Sequence, residues 1–278
     1  MRFVSYQKGD ATGVAVQRNG EWRDLGEGDL LGLIRQGKIT DASALGEGGP
    51  VDVGPLTLLP PLSRPPKILC VGLNYVDHAA ESPYKEAPSY PAFFPRFATT
   101  LIGHGQSIIR PFLSEELDFE GELVAVIGKG GRHIEKTKAL DHVAGYSIFN
   151  EGSIRDYQFK TPQWTVGKNF DGTGAFGPAF VTADELPAGG SGLKIETRLN
   201  GKVVQSANTS DMIFSVADLV SIASQAMTLE VGDVIVTGTP AGIGWARKPP
   251  LFMKEGDICE VEIEGIGVLR NPVRDERR

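Results

Sequence analysis

The residues best placed to do chemistry in this chain are carboxylates at short spacing. Asp118-Phe119-Glu120-Gly121-Glu122 runs straight into the apolar stretch Leu123-Val124-Ala125-Val126-Ile127. Side chains alternate along an extended chain, so Glu120 and Glu122 project from one face. Two carboxylates that close repel unless they share a proton or a cation, and a set of oxygen donors suits a hard divalent ion. The bland reading is a solvated acidic entry to a strand. A third carboxylate, Glu151, closes the apolar run that begins at Val143, within Asn150-Glu151-Gly152-Ser153-Ile154-Arg155-Asp156. Loops held by buried strands are where sites collect. The competing reading is that Glu151 and Asp156 simply pair with Arg155 at the surface.

His78 and Glu81 stand three apart in Gly72-Leu73-Asn74-Tyr75-Val76-Asp77-His78-Ala79-Ala80-Glu81. On a helix such positions are neighbours, so the carboxylate can orient the imidazole and raise its basicity, as a general base requires. A surface pair is the ordinary alternative, and no second histidine stands at zinc-protease spacing. Lys168, in Val166-Gly167-Lys168-Asn169, offers a positive charge for a substrate carboxylate or a developing enolate. Thr237-Gly238-Thr239-Pro240-Ala241-Gly242-Ile243-Gly244 follows a strand-like run and offers amides and hydroxyls to an anion, or merely turns the chain. Gly172-Thr173-Gly174-Ala175-Phe176-Gly177 matches the glycine spacing of a dinucleotide loop. Pro178 and a strand-like Ala179-Phe180-Val181-Thr182 follow where a helix should begin, so that reading is rejected.

The elements that must position these groups are mostly strands. Lys67 to Gly72, Glu122 to Gly128, Val143 to Asn150 and Val234 to Thr237 are short apolar runs beside turn-forming residues. Asn200-Gly201 between alternating segments predicts a hairpin near residues 193 to 205, because both residues tolerate the positive φ of a type I′ turn. Helices are expected from Asp29 to Gln36, from Tyr75 to Glu81, and from Ser215 to about Met227, the last opening on a Ser215/Asp218 capping box. Leu59-Pro60-Pro61-Leu62-Ser63-Arg64-Pro65-Pro66 reads as a stiff linker, dividing a small N-terminal domain, residues 1 to 62, from a larger one, 63 to 278.

With 278 residues, 41% of them hydrophobic, the chain can bury an adequate core. Its net charge of -7 leaves no basic excess to recruit nucleic acid. Only two cysteines occur, Cys70 and Cys259, which argues against a disulfide framework and for reduced, packed thiols. There is no signal-peptide pattern at the start and no apolar run long enough to span a bilayer, so the expected location is the cytoplasm.

Taken in order from about Lys67 to Pro272, these segments resemble the fumarylacetoacetate hydrolase superfamily. The stretches concerned are Val71-Gly72-Leu73-Asn74-Tyr75 with His78 and Glu81, Glu120-Gly121-Glu122, Gly145-Tyr146 through Arg155-Asp156 with Gln158, Gly167-Lys168, Asn208-Thr209-Ser210-Asp211-Met212 and Thr237-Gly238-Thr239-Pro240. The resemblance implies an α+β, β-rich fold, a mixed β-roll of twisted sheets around a metal site with a small N-terminal domain, usually dimeric. It implies Mg²⁺ or Mn²⁺ on Glu120, Glu122 and Glu151, a lid dyad of His78 and Glu81, a catalytic Lys168, and substrate contacts from Arg155, Gln158 and Thr239. Glu151 stands where the family usually has Asp, with Gly152 as a possible source of room, and Arg96 where it often has Lys. The implied reaction is hydrolysis of a C–C bond in an acylpyruvate of the maleylpyruvate or fumarylpyruvate type. Oxaloacetate-type decarboxylation, 2-hydroxy-dienedioate isomerisation and non-catalytic binding of a 2-oxo acid are the alternatives.

Overall fold

The computed structural model describes residues 1–81 and 88–277. Among these residues the fold is β-rich, with several twisted mixed sheets. The largest, of twelve strands, places side by side Arg2–Lys8, Gly174–Thr182, Val143–Glu151, Gly121–Ile127, Val234–Val236, Ile68–Gly72 and Ala92–Pro95. The N-terminal strands Arg2–Lys8, Ala11–Arg18 and Glu21–Glu27 extend this sheet, since Arg2 and Phe3 pair with Val181 and Phe180. A second sheet of five strands contains Lys194–Leu199, Lys202–Asn208, Ile258–Ile263, Gly267–Asp275 and Ile108–Arg110.

The strand Gly121–Ile127 is buried throughout, which fits its near-continuous apolar sequence. Alternation divides its side chains between two cores. Leu123, Ala125 and Ile127 meet Ile195, Leu199, Val261 and Leu269 of the second sheet. Val124 and Val126 share the other face with Cys70, Phe149, Phe176 and Val236. Glu120 and Glu122 belong by period two to this second face. They are therefore the buried polar end of an otherwise apolar stripe.

The local signals act as their chemistry requires. Asn200 and Gly201 take φ of 53° and 76° between Lys194–Leu199 and Lys202–Asn208, the double positive φ of a type I′ hairpin. The helix Val216–Ala226 starts at Ser215, whose hydroxyl accepts from the Asp218 amide while the Asp218 carboxylate accepts from the Ser215 amide. Asp29 caps Leu30–Arg35, and Gly37 stops it at φ 67°. The helix expected from Tyr75 runs Val76–Glu81, because Tyr75 instead bridges to Met212. The rejected glycine loop leads into the strand Gly174–Thr182. Cys70 and Cys259 are both free and buried. Among the described residues no helix is long and apolar enough to cross a membrane.

Candidate active site

Register brings the third carboxylate to the first two. Gly121 lies opposite Asn150, and the Glu151 amide donates to the Glu120 carbonyl at 2.9 Å, so Glu120 and Glu151 are cross-strand neighbours. The Asn150 side chain locks the pairing by accepting from the Glu120 amide. Glu120, Glu122 and Glu151 are all buried, and one carboxylate oxygen from each lies within 4.8 Å of the others.

Three cationic side chains balance this cluster in part. The Lys168 ammonium donates to both Glu120 oxygens, at 3.0 and 2.9 Å, and to Glu151 Oε2 at 2.9 Å. Arg155 reaches Asp118 Oδ2 at 2.8 Å and Glu120 Oε1 at 2.7 Å. Arg96 sits 3.6 Å from Glu151 Oε1 and donates to Thr173 Oγ1 at 2.6 Å. Among the described residues the buried cluster thus sets four carboxylates (Asp118, Glu120, Glu122, Glu151) against three cations. One negative charge is in excess when all are ionised.

That excess falls on Glu122. Burial first, then Glu151 and Glu120, push its carboxyl well above the usual carboxylate range, despite the Gly238 amide donating to its Oε2 at 2.5 Å. Burial also acts to raise Glu120, but Arg155, Lys168 and His78 outweigh it and hold that carboxyl at about 2. Burial alone would lower Lys168; Glu120 and Glu151 reverse this and raise it. Gly238 is required where it stands: its φ is 100°, and a Cβ would come within 2.7 Å of the Asn74 side chain. Asn74 in turn staples three segments, donating to the Phe214 and Thr237 carbonyls and accepting from the Phe214 amide.

A small cavity of about 50 Å³ opens onto the cluster, lined by His78, Glu120, Arg155, Gln158 and Lys168 on its polar side. Leu73, Phe159, Trp164, Ile243 and Trp245 form its apolar wall. Leu73 holds φ at 58°, uncommon for a residue with a bulky side chain. A larger groove of about 460 Å³, between Phe97, Ile109, Pro111, Val166 and Phe170, contains none of the charged cluster.

The expected site residues separate into two groups here. His78, Glu120, Arg155, Gln158 and Lys168 face the cavity, with Glu122 and Glu151 behind them. Arg155, expected to contact substrate, lines the cavity: its Nε donates to Asp118 and its Nη1 to the Gln158 amide oxygen at 2.9 Å, while its Nη2, at ion-pair distance from Asp118 and Glu120, makes no hydrogen bond. Pairing of Arg155 with Asp156 does not occur; Asp156 accepts from Ser114 instead. Thr239 does not line the cavity, because its hydroxyl bridges the Gly121 carbonyl and the Gln205 amide. His78 and Glu81 are 3.6 Å apart, too far for a hydrogen bond. Both Glu81 oxygens accept instead from the Gly242 amide at 3.0 Å.

Gly152 does not provide spare room for Glu151. A Cβ there would meet the Thr173 carbonyl at 2.4 Å, so glycine is needed for that close approach. Arg96 serves Glu151 and the Thr173 segment.

The residue that sequence reasoning underused is Asp118. Buried completely, it accepts from Arg155 and from the amides of Phe119, Gly244 and Trp245, tying the strand entry to the loop that walls the cavity. Its place in the Asp-x-Glu-x-Glu run was the available signal. Nothing local marked Trp164 or Trp245.

The model of the family "Fumarylacetoacetate (FAA) hydrolase C-terminal" matches residues 67–274. The chain belongs to the fumarylacetoacetate hydrolase family. A mitochondrial oxaloacetate tautomerase of Homo sapiens is 46% identical to it over 220 residues, covering 78% of this chain and 69% of that protein. A solved fumarylacetoacetate hydrolase from psychrophilic Exiguobacterium antarcticum superposes with a TM-score of 0.84 at 35% identity, covering 99% of this chain and 100% of its own. The 5-carboxymethyl-2-hydroxymuconate delta-isomerase of Mycobacterium smegmatis gives 0.81 at 30% identity, covering 100% of both chains.

The donor set of this chain fits a hard divalent cation. Three carboxylates converge, the buried cluster holds one more carboxylate than cations, and Glu151 Oε1 is buried with no hydrogen-bond partner.

Proposed function

We propose that this chain catalyses proton transfer beside the carbonyl of a small 2-oxo acid, an enol–keto tautomerisation for which oxaloacetate is the first substrate to test. The carrying observation is the buried, net-negative triad of Glu120, Glu122 and Glu151 directly behind a cavity that also holds His78, Lys168 and Gln158. In this reading Glu120, Glu122 and Glu151 hold Mg²⁺ or Mn²⁺, which when bound supplies Lewis-acid polarisation of the 2-oxo group and offsets the substrate's charge.

The chain's own groups do the rest. His78 takes and returns the proton at the carbon beside the carbonyl; it is buried at the cavity wall, and its Nδ1 has no hydrogen-bond partner. Lys168 carries positive charge toward the oxygen on which negative charge develops. Gln158 commits its amide oxygen to Arg155, which leaves its NH₂ to donate to a substrate carboxylate. Trp164, Ile243 and Trp245 limit water at the reacting carbon. The names of the human tautomerase and the mycobacterial isomerase support proton transfer as the reaction class.

Hydrolysis of an acylpyruvate to pyruvate and a carboxylic acid is the second reading, favoured by the His78–Glu81 pair, since water attack also needs a positioned base. One assay panel separates these readings: enol oxaloacetate, acylpyruvates and 2-hydroxy-dienedioates, with Mg²⁺ or Mn²⁺ and product identification. The expected result is faster decay of enol absorbance without release of CO₂ or pyruvate, abolished by chelation. Pyruvate plus a carboxylic acid establishes the hydrolase, and CO₂ from oxaloacetate establishes a decarboxylase. Tautomerisation that survives exhaustive chelation overturns the metal's part, and binding without turnover leaves a 2-oxo-acid-binding protein.

A further inference from the structure

We infer that Lys168 is a built-in competitor for the divalent cation, its ammonium and the ion contending for the same carboxylate oxygens. The inference rests on the reading of Glu120, Glu122 and Glu151 as the cation site. An ammonium has three donors, and Lys168 uses all three on two of the three candidate ligands, Glu120 and Glu151. Glu120 already accepts from Ser153 at 2.9 Å and is ion-paired with Arg155 at 2.7 Å. A divalent ion needs lone pairs turned toward it at about 2.0–2.6 Å. The same oxygens cannot satisfy both cations in full.

The cluster also shows where the ion gains entry and where the lysine goes. Glu122 makes no bond to Lys168, its Oε2 accepting from the Gly238 amide instead, and Glu151 Oε1 has no hydrogen-bond partner, only Arg96 at 3.6 Å, so these two carboxylates are the ones Lys168 leaves least engaged. Lys168 lies at the wall of the cavity, which His78 and Gln158 also line. The Phe94 ring, 5.1 Å from the ammonium, backs it with an apolar surface. An ion that draws Glu151 away releases Lys168 toward the cavity, where an anionic substrate meets it. Ion and substrate anion then favour one another's binding, because each relieves the charge the other leaves unpaired.

The test is the affinity of the full chain for Mn²⁺, measured by titration calorimetry for the wild type, Lys168→Met and Lys168→Arg. Lys168→Met is expected to bind Mn²⁺ about tenfold tighter or more, the scale for removing a unit charge a few ångström from an ion in a partly screened site. Lys168→Arg, which keeps the charge, is expected to show no such gain. Equal or weaker binding by Lys168→Met, with the wild type binding normally, overturns the competition while leaving the cation site standing. No binding by any form overturns the site itself, and the inference with it. Because Lys168→Met leaves buried carboxylates unpaired, Lys168→Gln provides a second readout through the rise in melting temperature on adding Mn²⁺. A larger rise than in the wild type supports the competition, and a smaller one overturns it.

Discussion

Arg155 and Arg198 are both arginines surrounded by carboxylates, yet they do different work. Arg198, on the strand Lys194–Leu199, reaches Glu196 at 3.0 Å, Glu260 at 3.2 Å and Glu262 at 2.7 Å on a partly open sheet face. Arg155 reaches Asp118 and Glu120 where all three side chains are almost wholly buried. In water the first set gains little, because solvent screens each pair and the long side chains lose entropy on being held. In the interior the second set decides which groups stay charged. Burial acts to lower the Arg155 pKa, and Glu120 with Asp118 more than reverses it; the same contacts hold Glu120 ionised. The lesson is that pairing makes a surface here and an electrostatic device there, with burial as the difference.

The contrast can be broken or sharpened by four measurements. The largest effect belongs to the cavity wall: His78→Ala should lower kcat/KM by roughly 10²- to 10⁴-fold, the range for a lost general base, while Mn²⁺ still binds. Wild-type turnover in that variant makes His78 structural and leaves the buried cluster without its base. Next, Arg155→Met should cost about 3–5 kcal/mol in denaturant unfolding, because it strands Asp118 and Glu120 as buried charges. A cost near zero would mean that solvent reaches the cluster.

Smaller effects are expected on the open faces. Asp218→Asn should cost about 1 kcal/mol through the weakened capping box of the helix Val216–Ala226. Its pH dependence has a definite sign. Burial acts to raise the Asp218 pKa, but Lys136 and Ser215 outweigh it, so the folded value lies below the ordinary one. The electrostatic part of its stabilisation is therefore full above the unfolded pKa and lost as pH falls through the folded pKa. Melting curves of wild type and variant should converge in acid and separate toward neutral pH. Smallest of all, Arg198→Met should cost less than about 1 kcal/mol and less still at high salt. A loss as large as that of Arg155→Met would dissolve the distinction between the two arginines.

What the sequence determined by itself is whatever depends on near neighbours in the chain. Asn200-Gly201 specifies its turn because φ is a local property, Ser215 and Asp218 cap a helix because they are three apart, and Glu120 and Glu122 share a face because strands alternate. The ordered motifs from Val71 to Pro240 also sufficed to recognise the family. Only the tertiary structure decided the partners. Glu151 joins Glu120 through a register set over thirty residues of intervening chain, and Lys168 meets Glu120 across a separation of 48. Arg155 chose Asp118 over the adjacent Asp156, and Thr239 turned to Gly121 and Gln205. Periodicity carries no information about such choices. They follow from which buried polar atoms must find a partner once the sheets have closed, and that is settled by packing the whole chain at once.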